Sequence, residues 1–150
     1  MSEVAILVGL PGAGKTSFYR ARLAGSHVHV SKDVIGHGND AGRRQLELVT
    51  QALRERHSVA VDNTNPRAED RAPLIALARA GGARVVAYVL DTTPKESAAR
   101  NRARTGRERV PNVAVFVTAK RLQPPTAAEG FDAIYRVRAA GGGFEVIVET

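Results

Sequence analysis

Few stretches narrow the choice of fold as far as VAILVGLPGAGKT, residues 4–16. The apolar run from Val4 to Val8 has the length and β-branched content of a buried strand. It breaks into a loop with glycines at positions 9, 12 and 14, and the loop ends in Lys15 and Thr16, where a helical pattern begins. Gly9 to Thr16 fit G-x-x-x-x-G-K-[ST] in the setting that motif requires, after a strand and before a helix. Glycines let backbone N–H groups converge on an anion unobstructed, and the helix N-terminus adds partial positive charge. Gly12, Ala13, Gly14, Lys15, Thr16 and Ser17 are therefore expected to cradle the phosphates of ATP. Lys15 is placed to reach the β and γ groups and the Thr16 hydroxyl to serve Mg²⁺. Such a loop names a donor and leaves the acceptor open.

The rest of the chain alternates strand and helix patterns. Strand character recurs at His27–Val30, Val59–Val61, Val85–Leu90, Ala133–Val137 and Phe144–Val148. A first helix is predicted from about Gly14 through Leu23 to a stop near Gly25, and a second presents Leu46, Val49 and Leu53 on one face. A third follows Asn65-Pro66 with Pro66 at its first position, and Pro73 predicts a kink or a late start. Thr93, Pro94 and Glu96 form a capping box for a fourth helix ending at Gly106; a fifth spans Val113 to Leu122. The expected architecture is one α/β domain over residues 1–150, with a mostly parallel sheet flanked by helices and a last edge strand after Gly141-Gly142-Gly143.

Three further stretches fall where an acceptor could be handled. The second strand runs into Ser31-Lys32-Asp33, and strand C-termini line the crevice of an open α/β sheet. Asp33 can take a proton from an acceptor hydroxyl, or cap a short helix; spacing does not separate the two. Asp62, closing the third strand before Asn63-Thr64-Asn65, resembles the acid that holds Mg²⁺ through water, yet those residues also suit any strand-to-helix turn. ARNRARTGRER packs Arg100, Arg102, Arg104, Arg107 and Arg109 into ten residues. Charge runs usually face solvent, but like charges one helical turn apart repel unless an anion lies among them. An arginine-rich helical lid over a transferring phosphoryl group, at about residues 93–110, answers that cost. His27, His29, His37 and His57 show no ligand partner and are expected at the surface or the core edge.

Composition sets outer limits. Without cysteine, disulfides, thiolate metal sites and cysteine nucleophiles are excluded. Met1-Ser2-Glu3 has no basic region and no long apolar run follows, so neither signal peptide nor membrane span is expected, and a cytoplasmic protein is. A formal charge of +7 fits either a polyanionic partner or simple solubility.

Taken in order, GLPGAGKT, VHVSKD, VAVDNTNP, RNRAR and PTAAEGF resemble the kinase domain of polynucleotide kinase-phosphatases, from Val4 to about Arg138, most closely the metazoan DNA-repair branch. The resemblance implies ATP- and Mg²⁺-dependent phosphorylation of a 5′-hydroxyl on DNA or RNA, on a P-loop kinase fold like that of adenylate kinase. By matching motif it gives Lys15 and Thr16 to the phosphates and Mg²⁺, Asp33 to the general base, Asp62 to the acceptor side, and Arg104, with Arg100 beside it, to the lid. Several phage and bacterial members carry an arginine three residues after the catalytic aspartate, where this chain has Gly36. Acceptor contacts are then expected from Lys32, Arg43 or Arg44. The family's phosphatase signature D-x-D-G-T is absent, so a kinase acting alone is expected. Two rival readings remain: a P-loop kinase of a sugar, antibiotic or nucleotide-sugar, and a non-catalytic nucleotide switch.

Overall fold

In the computed structural model, which describes residues 1–32, 40–104 and 110–150, six strands form one sheet: β1 (Glu3–Val8), β2 (His27–Val30), β3 (Ser58–Asp62), β4 (Arg84–Leu90), β5 (Ala133–Ala140) and β6 (Gly143–Val148). The order is β2-β3-β1-β4-β5-β6; β6 alone runs antiparallel, hairpinned onto β5. The helices are α1 (Lys15–Phe18), α2 (Ala41–Arg54), α3 (Ala68–Ala80), α4 (Pro94–Arg102) and α5 (Asn112–Arg121). This is the predicted α/β arrangement.

The central strand shows why. Every residue from Val4 to Val8 is fully buried, because helices cover both sheet faces and leave no side of β1 for water. Val4, Ile6 and Val8 face a core completed by Val49 of α2 and Leu74 and Ala78 of α3. Ala5 and Leu7 face a second core with Phe18, Leu23, Ala98 of α4 and Val115 of α5. Burial of such aliphatic side chains is worth roughly 1.5–3 kcal/mol each, so β1 anchors the loop that follows it.

Three helical boundaries differ from the sequence expectation. The first helix is α-helical only to Phe18 and then widens into a π-helical turn, Tyr19–Leu23, closed by the Ala24 N–H donating to the Tyr19 carbonyl at 2.9 Å. The third begins at Ala68, two residues after Pro66, because Asn65 takes a left-handed conformation (φ 44°) that ends the turn. Arg67 is its N-cap, with Asp70 accepting the Arg67 N–H at 3.0 Å, and the helix continues through Pro73 to Ala80. The fourth has the expected cap, the Glu96 N–H donating to Thr93 Oγ1 at 3.1 Å, but ends at Arg102. Gly106 lies outside the described residues.

PTAAEGF has a structural task. Glu129, in a 3₁₀ turn (Ala127–Glu129), receives two hydrogen bonds from the guanidinium of Arg71, at 2.9 and 3.1 Å. Arg71 is wholly buried and also donates to the carbonyls of Asn65 and Gln123, so it ties α3, the turn after β3 and the approach to β5 together. Removing one partner of such a pair strands the other charge; Glu129→Ala is expected to cost about 3–5 kcal/mol in urea unfolding. Burial alone raises the Glu129 carboxyl, but the hydrogen bonds from Arg71 and Thr126 and the Arg71 charge outweigh it and hold the group below its usual value. With the folded pKa depressed, the carboxylate's contribution is full above the ordinary carboxylate range and fades as pH falls through the folded value. The stability gap between wild type and Glu129→Gln should therefore narrow on acidification.

Candidate active site

Parallel register brings the working ends of three strands together. Leu7 lies beside Asp62 and Val30 beside Val61, so the segments after β1, β2 and β3 leave the sheet at one edge, where open α/β sheets bind ligands. The loop after β1 depends on its glycines. Gly12 (φ 83°) and Gly14 (φ 97°) are left-handed, and a Cβ on Gly12 lands 2.3 Å from the Ser97 carbonyl oxygen of α4. Gly12→Ala is accordingly expected to unfold the loop or push α4 away, seen as lost nucleotide binding. The Lys15 ammonium is buried and donates to the carbonyls of Gly9 (3.2 Å) and Leu10 (2.9 Å), which holds it inside the curve of the loop.

Thr16, Asp62 and His29 meet at one oxygen. The Thr16 hydroxyl donates to Asp62 Oδ2 at 2.7 Å, and His29 Nε2 lies 2.8 Å from the same atom. Burial pushes the Asp62 carboxyl up, but the hydrogen bonds from His29 and Thr16, then the charges of Lys15 and His29, prevail and hold it below the usual range. Asp62 is thus a carboxylate 5% exposed, ionised well below neutral pH. Within DNTN the residues divide between turn and loop contacts. Asn65 is turn machinery, donating to the Leu7 carbonyl at 2.8 Å, and Asn63 accepts the Lys32 N–H at 2.9 Å while donating to Gln45 of α2. Asp62 is the residue directed at the loop.

Two cavities flank the loop. One, about 260 Å³, is bordered by Gly12, Gly14, Ser17, Arg20, Arg100 and Ala103. The other, about 410 Å³, opens beside Lys15 and Asp62 and gathers Lys32 from the end of β2 and Arg121 from the end of α5. Thr16 and Arg104 border both. Arg100, by contrast, reaches over the loop and donates to the Ala13 carbonyl at 3.3 Å. The backbone carrying Arg104 is anchored by Asn101, fully buried, whose side chain donates to the Val110 carbonyl at 2.6 Å and accepts the Val110 N–H at 3.0 Å. That ties Val110 back to the C-terminal turn of α4.

Of the residues read from sequence, Lys15, Thr16, Asp62, Arg100 and Arg104 converge around the loop, while Asp33, Arg107 and Arg109 lie outside the described residues. Arg43 faces solvent and pairs with Asp40 and Glu47, and neither it nor Arg44 borders the larger cavity. Lys32 does, and Arg121 joins it, a residue no local pattern marks because Arg121 is 89 positions from Lys32 in the chain. His29, expected at the surface or the core edge with no ligand partner, lies half-buried on the edge strand and is bonded to Asp62.

The residues fit a magnesium nucleotide. Among the described residues no group of three His, Asp or Glu could cage a metal alone. Mg²⁺ normally arrives with phosphates and takes one or two protein oxygens, which Thr16 and Asp62 offer together.

A family model described as an AAA domain matches residues 4–125. The chain is 33% identical over 144 residues to an Arabidopsis thaliana protein named transcription factor bHLH140, covering 87% of this chain and 15% of that one. It is 25% identical over 139 residues to the bifunctional polynucleotide phosphatase/kinase of Schizosaccharomyces pombe, covering 90% and 33%. The chain thus spans a third or less of the length of these relatives. Among solved structures, a gluconokinase from Sinorhizobium meliloti has a TM-score of 0.63 at 19% identity, covering 93% of this chain and 83% of that one. A fungal RNA kinase has a TM-score of 0.68 at 16% identity, covering 93% and 39%. At such identities these two likenesses concern the fold.

Proposed function

This chain belongs to the AAA-domain family and has a P-loop kinase-like nucleotide-binding fold, and from that premise we propose that it transfers the γ-phosphoryl group of ATP to the 5′-hydroxyl end of DNA or RNA. The observation that carries the acceptor is the larger cavity. Lys32, Arg104 and Arg121, from three separate segments, border it together with Lys15 of the phosphate loop. The lining also carries two carboxylates, Asp62, which accepts from Thr16 and His29, and Asp70, which accepts the Arg67 N–H, so basic side chains outnumber acidic ones there. Cations gathered in this way repel one another and favour an anionic acceptor over a neutral sugar. The names of the fission-yeast relative and the fungal RNA kinase agree with that choice.

Bound Mg·ATP supplies a phosphoryl group whose charge spreads over its oxygens as it leaves. Lys15 and the loop N–H groups would hold the phosphates, Thr16 would offer its hydroxyl oxygen to Mg²⁺, and Asp62, which accepts the Thr16 proton, would serve the ion through water. Asp33, next to Lys32 in sequence, orients the acceptor hydroxyl and accepts its proton late in the transfer. Arg104, common to both cavities, clamps the charge between donor and acceptor.

Salt dependence tests the acceptor. Three cation–phosphate contacts on a single strand give a slope near −2 in a plot of log apparent affinity for a 5′-hydroxyl oligonucleotide against log salt, at about 0.7 ions per contact. A flat plot, with faster turnover of a sugar than of the oligonucleotide, favours the small-molecule kinase of the same fold. Asp33→Asn separates an enzyme from a switch. It is expected to lower kcat by about 10²- to 10⁴-fold and leave ATP binding intact; unchanged kcat contradicts the base assignment.

A further inference from the structure

Phosphoryl transfer as described leaves His29 without a task, although it is held both by a hydrogen bond and by a ring stack. In the parallel pairing of β2 with β3, His29 lies beside Ala60, so it shares a sheet face with Asp62, two residues further along the neighbouring strand. Asp62 is ionised and can only accept, so the 2.8 Å contact requires a proton on His29 Nε2. The ring is stacked on Tyr19, with centroids 4.4 Å apart and planes inclined by 30°. Tyr19 is itself held, its hydroxyl donating to the His27 carbonyl at 2.6 Å. Partial burial, and then the charge of Asp62, push the Tyr19 phenol up, which keeps it a donor. Tyr19 opens the π-helical turn that continues the helix bearing Thr16. Thr16, Asp62, His29 and Tyr19 therefore form a closed circuit between the phosphate loop, β3 and the edge strand β2.

The circuit has a consequence for the metal. A hydroxyl presents its lone pairs to a cation only if its proton is pointed away, and Asp62 Oδ2 takes the Thr16 proton at 2.7 Å. Asp62 borders the cavity of about 410 Å³, and a carboxylate oxygen held by a single donor can still turn about that bond. His29 supplies the second donor to the same oxygen and removes that freedom. We propose that His29 is a positioning residue: it locks the Asp62 carboxylate so that Thr16 faces Mg²⁺ with a lone pair, and Tyr19 holds the imidazole for that purpose. The proposal rests on the Mg·ATP reading of the loop and is independent of the acceptor.

The test is calorimetry of ADP binding to the full chain with and without Mg²⁺, on wild type, His29→Leu, His29→Gln and Tyr19→Leu. Losing an outer-sphere partner of a metal site commonly costs 10- to 100-fold. His29→Leu is expected to lose about that much of the Mg²⁺-dependent gain in ADP affinity, with Mg²⁺-free affinity unchanged. His29→Gln, whose amide N–H has similar reach, should recover most of it, and Tyr19→Leu should fall between. A loss equal with and without Mg²⁺ reduces His29 to a structural role, and an undiminished Mg²⁺ gain in His29→Leu overturns the proposal. If His29→Leu does not fold, Tyr19→Leu and His29→Gln decide on the same criteria. No Mg²⁺ gain in wild type contradicts the Mg·ATP reading itself.

Discussion

Lys15→Ala is expected to lower kcat/KM for phosphoryl transfer by about 10³-fold, the scale of removing one well-placed donor from developing oxyanion charge. Lys15 is 8% exposed, so its charge is felt in a low-dielectric setting with little screening by water. Its present partners are the carbonyls of Gly9 and Leu10, which fix its position within the loop. Folding should survive, because the ammonium donates to carbonyls of its own loop, Gly9 and Leu10, rather than tying distant elements of the core together. Lys15→Met keeps most of the side-chain volume and should give the same kinetic loss with an unchanged melting temperature. A Met variant with near wild-type kcat/KM contradicts the phosphate-binding assignment.

Arg104→Ala is expected to lower kcat by about 10³-fold while KM for ATP changes by less than about threefold, the signature of an interaction made in the transition state. The basis is location. Arg104 borders both the cavity beside Gly12, Gly14 and Arg100 and the cavity beside Asp62 and Lys32, which the proposed transfer assigns to donor and acceptor. Its backbone N–H donates to the Asn101 carbonyl at 3.1 Å, and Asn101 is itself clamped to Val110. Arg100→Ala should differ in kind. That guanidinium braces the loop through Ala13, so its loss should weaken ATP binding more than turnover. Parallel losses in kcat and ATP affinity for Arg104→Ala contradict the transition-state role.

What could be read from the sequence was local. The phosphate loop announces itself because each position serves one neighbour in sequence: a strand before it, glycines within it, a helix after it. All six strands were legible because doubly covered or half-covered strands keep apolar runs whatever the topology. What escaped were contacts across sequence distance. His29 and Asp62 are 33 positions apart and meet only because β2 lies beside β3. Arg71 and Glu129 are 58 apart, and nothing in PTAAEGF marks Glu129 as the partner of a buried guanidinium. The polar run DNTN could be taken as a turn or as a site, and only tertiary context separates Asn63 and Asn65, which hold backbone, from Asp62, which faces Thr16. The π-helical turn is likewise invisible in a helical pattern that fits either winding.

The central claim is that the phosphate goes to a polynucleotide 5′ end. Incubating the protein with γ-labelled ATP, Mg²⁺ and a 5′-hydroxyl oligonucleotide of DNA or RNA, beside a sugar acceptor, tests it most directly. Label should appear on the oligonucleotide at its 5′ end only, be lost when that end is already phosphorylated, and drop sharply in Asp33→Asn. Label on the sugar and none on either nucleic acid would contradict the account.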